Sequence, residues 1–186
     1  MDKKLLTVIG ILGGLVLLYF INLGAQNSYS SDTTKFFSIT EDSVSKIMIS
    51  SNQDAIELTK NDTTWAISGN DTLTIKDNVI DNLFDRMSSL EQHHLVTSKE
   101  ENWDTYNVSA DKGTHLAFIN HEGNTAAYYV FGTSATEYNR CYVRMNQDSQ
   151  VFLLNNNIIY QLQTTPTFWG EAPTSSDDND ETENID

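Results

Sequence analysis

The chain has 186 residues and a formal charge of −15, with 26 acidic residues against 11 lysines and arginines. That balance excludes a nucleic-acid reader, which needs a basic face for phosphates, and it excludes polybasic docking on anionic lipid. Cys141 is the single cysteine, so no disulfide can form within the chain and the fold must rest on core burial.

Residues 1–4 read as a short cytoplasmic N-terminus carrying Lys3 and Lys4. Leu5 to Leu23 holds no charge. As a helix it would be about 28 Å long, close to the ~30 Å hydrocarbon core of a bilayer. The expectation is a transmembrane helix over 5–23. The positive-inside bias of the two lysines would orient it, with everything after it outside the cytoplasm and the protein in the cytoplasmic (inner) membrane. A cleaved signal peptide is the rival, but its apolar region runs only about 7–15 residues. Leu23-Gly24-Ala25 also puts a bulky residue where cleavage wants a small one. Gly10 and Gly14 have the Gly-x-x-x-Gly spacing that lets membrane helices approach, which makes them a candidate helix–helix contact, although glycine is common in such helices anyway. Residues 24–35, rich in Ser, Asn and Thr, read as a juxtamembrane spacer.

Over 36–163 the pattern predicts an extracytoplasmic α+β domain. Val44–Ser50, Ala55–Thr59 and Thr64–Ser68 are short strands separated by turn residues, an antiparallel meander. The period then changes. Val79, Ile80, Leu83, Phe84, Met87 and Leu90 recur at three and four, the mark of an amphipathic helix, with Asp77 or Asn78 able to cap it. His93–Thr97 is a further strand, and Glu100–Asn107 a connector anchored by Trp103 and Tyr106. Thr114–Asn120, Thr125–Phe131, Arg140–Met145 and Gln150–Leu154 are four more strands, and Asn156–Leu162 is a short helical candidate. Strands then helix, twice, predicts two pseudo-repeated β-meander-plus-helix units with helices packed on one face. Residues 164–186 read as a disordered acidic tail, because the run after Pro166 cannot bury a core and repels itself.

No Gly-x-Ser-x-Gly, phosphate-binding glycine loop or Cys-x-x-Cys is present, and no catalytic, cofactor-binding or metal-binding residue is assigned. His93 and His94 are adjacent, and neighbouring strand positions point to opposite faces. His115 and His121 could join only through the fold. Counting a calcium loop from Asp178 puts Glu183 where glycine is required. Cys141 sits in a strand-like run and reads as a buried, inert thiol. Arg144, pointing with Tyr142, is singled out as a candidate for an ion pair or for ligand binding.

Several motifs recur in a familiar order: Phe37-Ser38-Ile39, Val44 to Ile49, Thr64-Trp65-Ala66-Ile67, Tyr106-Asn107-Val108, Phe131-Gly132, Tyr142-Val143-Arg144 and Val151 to Leu154. On these the chain resembles the bacterial membrane-anchored domain-of-unknown-function 4340 family over roughly 36–162. The family pattern often has glycine after the tyrosine, and Asn107 tolerates a left-handed backbone there. The resemblance implies a setting beside ABC-type transporter permeases and gliding-motility-type auxiliary subunits. The function expected is a non-enzymatic single-pass envelope protein, a scaffold or accessory subunit whose partners are membrane proteins. The alternative is a module binding a peptide, glycan or small solute.

Overall fold

The computed structural model describes residues 36–173, apart from Gln53 and Gln147. The expectations for the N-terminus, the 5–23 span with Gly10 and Gly14, and the spacer fall outside the described residues. So does the tail from 174 on. No helix among the described residues is long and apolar enough to cross a membrane.

Eight strands form one antiparallel sheet. They are β1 (Val44–Ser51), β2 (Asp54–Asn61), β3 (Thr64–Ile67), β5 (Gln92–Thr97), β6 (Thr114–Asn120), β7 (Thr125–Thr133), β8 (Cys141–Met145) and β9 (Val151–Leu154). Their order is β3-β2-β1-β6-β7-β8-β9-β5. A two-stranded ribbon pairs β4 (Thr74–Ile75) with β10 (Gly170–Glu171). The helices are short: α1 (Val79–Ser88) and α2 (Pro166–Trp169).

This corrects the α+β expectation of two repeated units. The two meanders fuse edge to edge, because β1 pairs with β6 from Val44↔Asn120 to Ser50↔His115. The second helix does not form. Ile158 and Leu162 are both buried at the helical spacing of four, yet only a 3-10 turn at Ile159–Gln161 appears. The Asn157 side-chain oxygen accepts the Ile159 N–H at 3.0 Å, an Asx turn that competes with a helix.

One sheet face carries the main core. Strand alternation sends Ile47, Ile49, Leu116, Phe118, Tyr129, Phe131, Cys141 and Val143 to that side, all buried. The stripe read from the sequence of α1 covers its centre, with Ile80, Leu83, Phe84 and Met87 buried and Phe84 5.5 Å from the Phe118 ring. Asn78 stands at the N-cap position in the left-handed conformation and makes no side-chain capping bond. Phe37 adds to the same aromatic cluster, 5.3 Å from Phe118.

The folded part runs past the expected boundary at 163. Trp169 is fully buried, its Nε1 donates to the Gln163 carbonyl at 2.7 Å, and its own carbonyl accepts the Lys76 N–H at 2.9 Å. Tryptophan burial outweighs the polar composition that surrounds it.

Candidate functional site

The second sheet face is covered over one half and bare over the other. The connector between β5 and β6 folds back over β7, β8 and β9. There Val108, Val130 and Val151 form a small separate core, with Val96, Trp103, Tyr106, Tyr128 and Tyr142 packed around it. Two glycines let this connector lie flush. A Cβ on Gly132 would stand 2.0 Å from the Tyr106 carbonyl oxygen, and one on Gly113 2.2 Å from Val130 Cγ1. Gly132 therefore lies inside β7 as a point of close backbone approach. Asn107 has φ +55°, the left-handed conformation expected of it.

Arg144 clamps the connector from below. It is 5 % exposed, its guanidinium lies 4.0 Å from the Trp103 ring centroid, and it donates to the Val108 carbonyl at 3.3 Å and to the Asn146 carbonyl at 2.7 Å. Burial pushes its pKa down. No carboxylate among the described residues pairs with it, so neutral carbonyls and an aromatic face satisfy the charge.

Beyond the connector the outer face of β2, β1 and β6 is open. A recess of about 580 Å³ lies there, floored by Met48, Ser50, Ala55 and Ala117 and closed on one side by His115, Tyr128 and the loop through Ala110 and Asp111. An adjoining hollow of about 430 Å³ shares Met48, Ser50 and Ala55 and reaches Gly69 and Pro166. Small outward residues on three neighbouring strands make the hollow.

His115 is the polar centre of this wall. Its Nδ1 meets the Tyr128 hydroxyl at 2.5 Å and its Nε2 the Ala110 carbonyl at 3.0 Å. A carbonyl only accepts, so Nε2 carries the proton and the tyrosine hydroxyl donates to Nδ1. Burial lowers the His115 pKa, and the Arg144 charge adds to that, against the Ala110 bond. The ring is thus neutral and held at both nitrogens.

The other histidines lie elsewhere. His121 meets the Asp42 carbonyl at 2.9 Å just past the far end of β6, about 20 Å along the strand from His115. On β5 a register irregularity between Gln92 and His94 sets the His93 and His94 rings 5.3 Å apart, rather than on opposite faces. A carboxyl pair forms at the start of α1. Burial works against the Glu41 carboxylate, but bonds from Trp65 Nε1 at 2.8 Å and Lys60 Nζ at 3.0 Å outweigh it and hold it below its usual range. Its hydrogen bond with Asp81 pushes that neighbour up. Among the described residues no group of three His, Cys, Asp or Glu is arranged to hold a metal. Cys141 is buried, and burial pushes its thiol up to about 11.

The recess was not among the sequence-derived candidates. Ala55, Ala117 and Tyr128 lie in no motif, and Met48 enters only as part of the Val44 to Ile49 run. Their signal is the set of small outward residues on adjacent strands, which needs the strand order to be seen.

Searches of curated proteins and of solved structures each returned no match. The family model described as domain of unknown function (DUF4340) matches residues 65–172, from β3 through β10. That span includes the connector, Arg144, the closing wall of the recess and Trp169, while β1 and β2 precede it. On that match the chain belongs to the DUF4340 family.

Proposed function

We propose that this chain is a non-enzymatic envelope protein whose domain docks a partner, as a scaffold or accessory subunit of a membrane assembly of the ABC-transporter-linked kind. The carrying observation is the asymmetry of the outer sheet face: sealed over β7 to β9, open over β2, β1 and β6, with Met48 45 % exposed in the middle of the opening. Apolar surface left bare beside a purpose-built cover marks an interaction site. His115 is held at both nitrogens, by the Tyr128 hydroxyl and the Ala110 carbonyl, and so fixes the wall of the recess. The uncharged run at Leu5–Leu23 behind Lys3 and Lys4 supports membrane localisation with the domain outside the cytoplasm.

A second reading is favoured by one observation. The recess volume of about 580 Å³ falls within the range of small-molecule sites, roughly 300–1,000 Å³, which suits a small solute, a glycan or a short peptide.

The test is a photo-crosslinker at Ala117 in native membranes, with Glu122 on the β6–β7 turn as the control position. A crosslink to one membrane protein from Ala117 alone, with co-purification in mild detergent, is the expected result. Recovery of the chain alone from both positions refutes the docking reading.

A further inference from the structure

We infer that the recess takes an extended segment of a partner protein in which a lysine or arginine stands beside an apolar side chain. This rests on the docking reading and names the chemistry of the occupant. The floor is apolar and exposed at Met48, flanked by Ala55 and Ala117 and bounded by the Tyr128 ring. The recess also holds two exposed carboxylates, Asp54 and Asp111. They stand at the same end. Asp54 opens β2 opposite Ser51, and Ser51 is tied to Thr114, the residue after the Asp111 loop and Gly113, by a side-chain bond of 3.4 Å.

Among the described residues no lysine or arginine lines the recess. Lys46, two positions along β1 from Met48 on the same face, is held by Glu57 at 3.0 Å. His115 is neutral, with both ring nitrogens engaged. A ligand therefore meets an apolar floor and uncompensated negative charge. Phosphate, carboxylate and anionic headgroups are repelled, and a cationic group beside an apolar one is complementary. Size agrees. The recess and the adjoining hollow cross β6, β1 and β2, about 15 Å at ~4.8 Å per strand, which matches four or five residues of extended chain. Ser50, Ser51 and Asn52 offer hydrogen bonds to such a backbone.

The assay uses the full chain in mild detergent and two labelled pentapeptides, one with arginine between two leucines and a twin with glutamate in its place. Fluorescence anisotropy gives the affinities, and amide shifts map the site. The arginine peptide should bind at least tenfold more tightly than its twin, with shifts clustered at Met48, Ala117 and Tyr128. Each exposed ion pair contributes a factor of about two to five, so the double variant Asp54→Asn, Asp111→Asn should weaken binding about tenfold. Met48→Lys, at an exposed position, should abolish it. Unchanged urea midpoints confirm that the variants fold. Equal binding of the two peptides, or shifts confined to another surface, overturns the inference. The two levels separate cleanly. If Ala117 crosslinks a native membrane partner whose binding the double Asn variant leaves unchanged, the cationic occupant is wrong and the docking reading stands. If Ala117 crosslinks nothing, the docking reading itself falls.

Discussion

Gly132→Ala tests whether the connector over β7 to β9 is held by close backbone approach. The added Cβ would lie 2.0 Å from the Tyr106 oxygen and 2.7 Å from the Asn107 oxygen. A carbon–oxygen contact wants roughly 3.3 Å, so the connector must lift by about 1.3 Å. The obstacle is backbone, which moves only if the whole segment moves. Overpacking of this kind costs about 1–3 kcal/mol. Lifting Tyr106–Val108 also stretches the Arg144 bond to the Val108 carbonyl, already 3.3 Å, and an unmet buried charged donor costs about 1–3 kcal/mol more. The sum is about 2–6 kcal/mol. With a urea m-value of about 2 kcal/mol/M, the unfolding midpoint should fall by about 1–3 M at unchanged m. Gly123→Ala is the comparison. Its φ is +82° and nothing lies within 4 Å, so only backbone strain of about 1 kcal/mol applies. A midpoint shift below about 0.25 M for Gly132→Ala, or one no larger than that of Gly123→Ala, would refute the close-approach argument.

Arg144→Lys should cost about 2 kcal/mol in urea unfolding and shift tryptophan emission, because an ammonium cannot lie flat on Trp103 while donating to the Val108 and Asn146 carbonyls. Trp169→Ala should cost about 3–5 kcal/mol by the same measure, and truncation after residue 163 should do at least as much damage. Cys141, its thiol raised to about 11, should resist iodoacetamide at pH 8 in the native state and react fully in urea, as followed by mass spectrometry. His115 has a depressed native pKa, so the unfolded chain binds its proton first. Its contribution is fully present above about pH 6.5 and is lost as pH falls toward its native value. His115→Gln should flatten the slope of stability against pH just below 6.5 relative to the parent chain.

Local patterns carried further than global ones. The helical stripe from Val79 to Leu90 was readable because four of its residues bury against one sheet face, and α1 spans Val79–Ser88. The eight strands of the sheet were legible from alternation and turn residues. The fusion into one sheet, which overturns the expected repeat, was not, because it depends on β1 offering its free edge to β6, and pairing between residues some 70 positions apart leaves no local trace. Asn157 shows a smaller failure of the same kind: Ile158 and Leu162 keep helical spacing while the asparagine side chain takes the N–H that a helix needs. At the site, Arg144 was singled out for an ion pair or for ligand binding, and its partners among the described residues are Trp103 and two carbonyls. Carbonyl acceptors have no residue-type signature.

The bare half of the outer face follows from the strand order. β5 pairs with β9 at one edge, and β6 lies four positions inward, so the chain must cross β9, β8 and β7 to begin β6. The core face is already filled by α1, Phe36, Phe37 and the 158–169 segment, which leaves the outer face as the route. After β6 the described chain turns away through β7, β8 and β9, and its later segment reaches this region only at Pro166, on the rim of the adjoining hollow. The cover therefore ends where β6 begins. Residue types track the border: Val130, Tyr142 and Val151 lie under the connector, while Ser50, Ala55 and Ala117 lie beyond it. Met48 breaks the rule, a large apolar side chain among small and polar neighbours, 45 % exposed. Solvation alone would favour a polar residue there, and a docked segment would bury it.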